Sequence, residues 1–163
     1  MAAKSKNKKK TTDDSTIVVN RRARFDYAIE ETVEAGLVLT GTEVKSLRNG
    51  KASLAQAYAT IKRGEAWLLQ LHIPEYDYGN RHNHDPTRAR KLLLHRDEIE
   101  EMERFTREMG RTLVPMKMYW KDGVAKVLIG LASGKAQHDK RRDLAEKDAK
   151  RQMERAAAAR RKG

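Results

Sequence analysis

No cysteine occurs among the 163 residues, which removes disulfide frameworks, thiolate zinc sites and cysteine nucleophiles together. Such usage suits a reducing compartment. Aromatic residues are also scarce, at 6% of the chain, while charged residues reach 36%, so part of the chain is expected to stay unpacked. Long apolar runs are missing as well. The short stretch Val127–Leu131, with its Gly130, falls far below the roughly 18 to 20 residues of a membrane span. Lys4, Lys6, Lys8, Lys9 and Lys10 lead into Thr11, Thr12, Asp13 and Asp14 with no apolar segment behind them, unlike a signal peptide. A cytoplasmic protein with no membrane partner is expected.

Acidic residues are in the minority, 23 against 35 Lys and Arg, for a net charge of +12. The excess sits at the ends. Residues 1–24 carry eight basic and two acidic side chains, residues 133–163 carry eleven and five, and the middle holds sixteen of each sign. Two basic arms around a neutral centre suit a polyanion gripped by segments that order on contact.

The sequence divides accordingly. Residues 1–15 read as a disordered basic arm, since almost nothing in them can be buried. Between Phe25 and Leu39 helical and alternating patterns overlap, and a long strand broken near Gly36 is expected. A short helix follows Gly41, with Thr40 and Glu43 or Thr42 as its cap, and Asn49-Gly50 ends it. Ala55, Ala57, Ala59 and Ile61 alternate up to Arg63-Gly64, and Trp67, Leu69, Leu71 and Ile73 alternate after it, which predicts a hairpin. A long polar loop runs from Pro74 to Arg90, then a short strand from Lys91 to His95. Asp97–Met109 reads as a helix with acidic residues first, basic residues last and Gly110 as its stop. Asp122-Gly123 marks a second hairpin, between Leu113–Trp120 and Val124–Ile129.

The fold class is therefore mainly β: over residues 16–132, a small OB-type antiparallel barrel with two short helices, a sandwich being the alternative. Residues 133–163 form a basic tail of high helix propensity. Leu144 and Met153 are its only large apolar residues, so it has no stripe to pack on a barrel and is expected to fray until a partner orders it.

Catalytic patterns fail one by one. Gly36 to Gly41 has the glycine spacing of a phosphate loop, but Thr42 stands where lysine is needed, and Gly130–Lys135 is one residue short with Ala136 following. No Gly-x-Ser-x-Gly occurs. His82, His84 and Asp85 would suit a metal-assisted nuclease only if brought together, and they read first as surface or RNA contacts. No catalytic residue, metal, cofactor or small-molecule substrate is assigned. Glu34, near Glu30 and Glu31, is open between a solvated carboxylate, an acceptor for a base amino group and a catalytic acid. Trp67 and Trp120 read as core before stacking platforms. Tyr76, Tyr78, His82 and His84, beside Arg81, Arg88 and Arg90, are the better stacking candidates.

Five ordered blocks carry a resemblance: Asn20-Arg-Arg-Ala-Arg24, Glu34-Ala-Gly-Leu37, Gly41-Thr-Glu-Val-Lys-Ser-Leu-Arg48, Asp85-Pro-Thr-Arg-Ala-Arg-Lys-Leu-Leu-Leu94 and Gln137-His-Asp-Lys-Arg141. From about Ile17 to its end the chain resembles the small protein B family. That resemblance implies an OB-fold RNA-binding protein of trans-translation. It would bind the tRNA-like domain of transfer-messenger RNA and deliver it, charged with alanine, to stalled ribosomes, so that the nascent chain is tagged and the ribosome released. The family's RNA-gripping asparagine and glutamate match Asn20 and Glu34, and its leucine and lysine match Leu93 and Lys126. Arg21, Arg22 and Arg24 make a basic edge beside Asn20, and Lys91 joins the same set. Gly134, Lys135, His138, Asp139, Lys140 and Arg141 match a tail that works near the decoding centre and in the messenger channel. Ala136 departs from the family, which usually carries a second basic residue there. A general rRNA-binding module is the alternative function.

Overall fold

The computed structural model describes residues 16–135 and 137–162, without the side chains of Asn80, Gln137, His138, Asp139 and Lys162. The expected N-terminal arm, residues 1–15, lies outside the described residues. The elements run β1 (Thr16–Val19), α1 (Ala23–Asp26), β2 (Tyr27–Leu37), α2 (Gly41–Arg48), β3 (Tyr58–Lys62), β4 (Glu65–Leu69), β5 (Arg90–Leu93), α3 (Arg96–Thr106), β6 (Arg111–Lys121), β7 (Val124–Gly134) and α4 (Gln137–Lys162).

Seven antiparallel strands form one sheet whose pairings return on themselves, β6 to β3, β4, β5, β2, β7 and back to β6, while β1 adds to β6. Leu47, Leu68, Leu71, Ile73, Leu92, Met102, Leu113 and Ile129 fill the interior. A second cluster, Ala23, Val114, Met116 and Ala132, packs one end beneath α1. Both expected hairpins form, at Arg63-Gly64 and Asp122-Gly123, with all four residues at positive φ. Helix α3 carries Asp97 and Glu98 in its first turn, and Glu98 accepts the His95 N–H at 3.0 Å.

Three local readings change. The segment before Tyr27 is a single helical turn, and β2 continues through Gly36, which pairs with Leu93 on one side and Lys126 on the other. Phe25 belongs to that turn, with the Arg22 guanidinium 5.9 Å from its ring. The second correction concerns Trp67. Gln70 takes φ 58° and breaks the alternation, so Ala66 and Leu68 face inward before it and Leu71 and Ile73 after it, leaving Trp67 outside. Trp120 does pack against the core. Third, α3 ends at Thr106 with Arg107 as its C-cap, so Gly110 at φ 82° lies in the following turn and does not stop the helix. Separately, the β6–β7 register shifts between Pro115 and Lys117, so Met116 joins the end cluster and Met118 the main core.

Helix α4 leaves Leu144 48% and Met153 73% exposed, in keeping with the lack of an apolar stripe. Its ties to the barrel end are polar. No helix among the described residues is long and apolar enough to cross a membrane.

Candidate nucleic-acid interface

Strand parity builds the site. Ala35 and Leu37 of β2, Arg90 and Leu92 of β5, and Ala125 and Val127 of β7 face the interior. Glu34 and Gly36, Lys91 and Leu93, and Lys126 therefore share the outer face. The Cα register aligns Leu93, Gly36, Lys126 and Tyr119 across four strands. Leu93 is 54% exposed despite its chemistry. A Cβ on Gly36 would lie 3.2 Å from Leu93 Cβ and 3.6 Å from Lys126 Nζ, so the missing side chain lets an apolar and a cationic group meet over β2.

Glu34 lies beside this row. Lys121 Nζ is 3.1 Å from its Oε1, and the Tyr119 hydroxyl donates to Oε2. The Tyr119 hydrogen bond, helped by Lys121 and Lys126 and opposed by burial, holds the Glu34 carboxyl below its ordinary range. Burial and the bond to Glu34 push the Tyr119 phenol up. A general acid at neutral pH requires the opposite shift, so this environment lends no support to the catalytic alternative for Glu34. An ionised carboxylate has about four acceptor sites, and it remains able to receive a base amino group. Lys117 Nζ lies 5.3 Å from the Tyr119 ring centroid and extends the cationic rim.

Asn20 closes the corner between β1 and α1. Its side-chain amide donates to Pro115 O at 3.1 Å, its N–H donates to Met116 O at 2.8 Å, and its carbonyl accepts the Ala23 N–H at 3.3 Å. This fixed corner holds Arg21, Arg22 and Arg24 in solvent. Asn20 meets β6 near Met116, and Glu34 meets it at Tyr119 and Lys121, a separation on the order of 10 to 15 Å along the strand. Asn20 also lines a groove of about 510 Å³ together with Arg22, Tyr27 and Tyr58.

The loop before β5 divides into structural and free parts. His84 is buried, with Thr42 Oγ1 2.9 Å from Nδ1 and Ile73 O 2.8 Å from Nε2, so both ring nitrogens are engaged and neither is free for a metal or a base. Arg90 is fully buried, donating to Glu43, to Leu71 O and to Pro86 O. Arg88 donates to the same carboxylate. Tyr78, 82% exposed, Arg81 and His82 remain on the surface. Among the described residues no group of three His or acidic side chains could hold a metal ion.

Gly134 completes β7 opposite Tyr27, with its N–H donating to Gly110 O at 3.2 Å. The Lys135 N–H donates to Asp26 O at 3.2 Å, and its Nζ donates to Arg24 O at 2.7 Å and to the Asp143 carboxylate. Lys140 Nζ is 3.6 Å from Asp26, while Arg141 is exposed. The side chains of His138 and Asp139, and Ala136, lie outside the described residues. Gly36, Tyr119 and Lys121 were not singled out from the sequence as site residues. The signal for the last two is parity, since they alternate with the apolar Met118 and Trp120.

A family model described as SmpB protein matches residues 17–159. The SsrA-binding protein of Thermobifida fusca (strain YX) is 59% identical over 159 residues, covering 98% of this chain and 99% of that protein. The SsrA-binding protein of Shouchella clausii (strain KSM-K16) is 55% identical over 153 residues, covering 94% and 98%. A solved structure described as "tmRNA-SmpB: a journey to the center of the bacterial ribosome" is similar over 74% of this chain and 85% of its own, with 50% identity and a TM-score of 0.63.

Proposed function

The chain belongs to the SmpB protein family, and from that premise we propose that it is an RNA-binding factor of trans-translation, holding the tRNA-like domain of transfer-messenger RNA and bringing it to stalled ribosomes. The nascent peptide is then tagged and the ribosome is released. The setting is the bacterial cytoplasm, and the role is binding and delivery rather than catalysis. It requires no cofactor, metal ion or small-molecule substrate.

The observation that carries this reading is the meeting of Leu93 and Lys126 over Gly36, with Glu34 beside them on the same outer face. Lys126, Lys121 and Lys91 take phosphates, Glu34 accepts from a base amino group, and Leu93 packs on a ribose or base. Asn20 with Arg21, Arg22 and Arg24 forms a second edge on the same RNA, reading shape and backbone. Gly134 and Lys135 join the barrel to the tail. Lys135, His138, Asp139, Lys140 and Arg141 act on the ribosome, where an empty messenger channel exposes rRNA phosphates to them.

The test compares binding of the tRNA-like domain with binding of an elongator tRNA, at one stated salt, for the full chain and for a chain cut after Lys135. Cutting there preserves β7 and the Lys135 contacts to α1. Preference for the tRNA-like domain is expected to survive the cut. With six to ten phosphates engaged, affinity should fall by roughly 10³ to 10⁵ between 50 and 200 mM salt, by analogy with duplex DNA. Equal binding of both RNAs, lost on truncation, would overturn the assignment and return the general rRNA reading.

A further inference from the structure

The outer face of the β3–β4 hairpin is not used by the function above. Its Cα register sets Tyr58 opposite Leu69, Thr60 opposite Trp67, and Lys62 opposite Glu65, and Trp67 pairs onward with Lys91. Thr60, Lys62, Arg63, Trp67 and Leu69 line an open groove of about 400 Å³. A half-buried indole thus forms part of its wall, with cationic side chains at one end and Lys91 alongside. Glu65 is the single acidic residue in the lining, and it pairs with Lys91 at 3.2 Å.

We propose that this groove is a further RNA site, in which an unpaired nucleobase stacks on Trp67 while Lys62, Arg63 and Lys91 take the phosphates that flank it. Two observations favour RNA over an apolar protein segment. The rim carries three cations against one carboxylate, which matches a phosphate chain better than a hydrophobic helix. The groove is continuous with the face already described, because Trp67 pairs with Lys91 and Lys91 lies two residues along β5 from Leu93. Arg63 also sits at φ 53°, in a two-residue turn whose counterpart in the β6–β7 hairpin is Asp122 at φ 51°. Asn and Asp are the unstrained choices at such a position. A charged side chain held there at the expense of backbone strain fits a binding role.

The site rests on the RNA-binding reading and extends it to a second, single-stranded contact. Its test uses the full chain with Trp120→Phe, which leaves Trp67 as the only indole, and titrates the tRNA-like domain while following tryptophan emission. Quenching of Trp67 that saturates with binding is expected. Trp67→Ala should weaken binding by roughly 5- to 150-fold, as loss of one stacked base does, and Trp67→Phe should restore most of it. Unchanged emission together with Trp67→Ala affinity within twofold of the parent would overturn the site. If selective binding persisted in that case, the broader RNA assignment would stand; if the parent bound neither RNA selectively, that assignment would fail first. A Trp67 response confined to ribosomal proteins freed of rRNA would also overturn it, in favour of a protein partner. The emission readout does not depend on whether Trp67→Ala folds.

Discussion

Replacing Glu43 with glutamine removes one negative charge from the most enclosed polar cluster among the described residues. The Glu43 and Arg90 side chains are both 0% exposed, and Arg88 completes the group at 31%. Glu43 accepts from Arg90 Nε, from Arg88 Nε at 3.0 Å and from the Thr40 N–H at 3.0 Å. Glutamine has a single acceptor oxygen, and its NH₂ would face a guanidinium. Arg90 would then be a buried cation without a counter-charge. Breaking a buried pair from one side destabilises by about 3 to 5 kcal/mol. For a chain of this size each kcal/mol corresponds to about 2 to 4 °C, so Tm should fall by roughly 6 to 20 °C.

Urea unfolding followed by circular dichroism reads the loss of free energy directly, thermal unfolding reads the fall in Tm, and the pH dependence adds a further check. Burial alone would raise the Glu43 carboxyl, but the Thr40 N–H and the two guanidinium groups outweigh it and hold the carboxyl below its ordinary value. A depressed folded value means that the stabilisation is fully present above the unfolded value, about 4.3, and is lost as pH falls through the lower folded one. The gap between parent and Glu43→Gln should therefore be constant from pH 8 to about pH 5 and close only in stronger acid. A variant within about 1 kcal/mol of the parent at pH 7, or a gap already closing near pH 6, would refute the reasoning.

Gly130→Ala would place a Cβ 3.0 Å from Met116 Sδ and 3.2 Å from Ile29 Cδ1, and destabilisation by about 1 to 3 kcal/mol is expected in the same urea assay, with unchanged stability as the contrary result. Tyr119→Phe removes the hydrogen bond that contributes most to lowering Glu34, so the Glu34 carboxyl followed by NMR should titrate at higher pH than in the parent. An unmoved titration would show that Lys121 and Lys126 suffice.

Local signals in the chain were readable where the determinants are neighbours in sequence. Arg63-Gly64 and Asp122-Gly123 each announce a hairpin, and Glu98 marks the start of α3, whereas Gly110 lies in the turn beyond its end at Thr106. What the chain does not announce are pairings across long separations. Asn20 finds Pro115 across 95 residues and Glu43 finds Arg90 across 47, and neither partner carries a local mark. This is why Arg90 and His84, read as available for RNA, turn out to be internal supports. Trp67 is a different kind of miss. Every residue around it alternates, and only the positive φ at Gln70, which no pattern of side chains requires, moves the indole from core to surface. Glu34, Leu93 and Lys126 came from family resemblance; parity explains why they meet, although a leucine in a strand gives no sign that it faces outward.

The tail's attachment bears on how it would act on a ribosome. Helix α4 buries no apolar stripe, and its described links to the barrel end include Lys135 to Arg24 O and Asp143, and Lys140 to Asp26. Partly exposed ion pairs of this kind contribute about 0 to 1 kcal/mol each. Two of the cations proposed to meet rRNA phosphates are therefore occupied in the structure, but weakly. Exchanging a carboxylate for a phosphate keeps each cation paired, so leaving the barrel costs little once a phosphate is within reach. Most helical stability in proteins comes from packing of an apolar face, which α4 lacks, so the order of the tail depends on what it touches. A segment held by exchangeable polar links, with no core contact to break, is suited to respond to whether a phosphate-lined channel is empty.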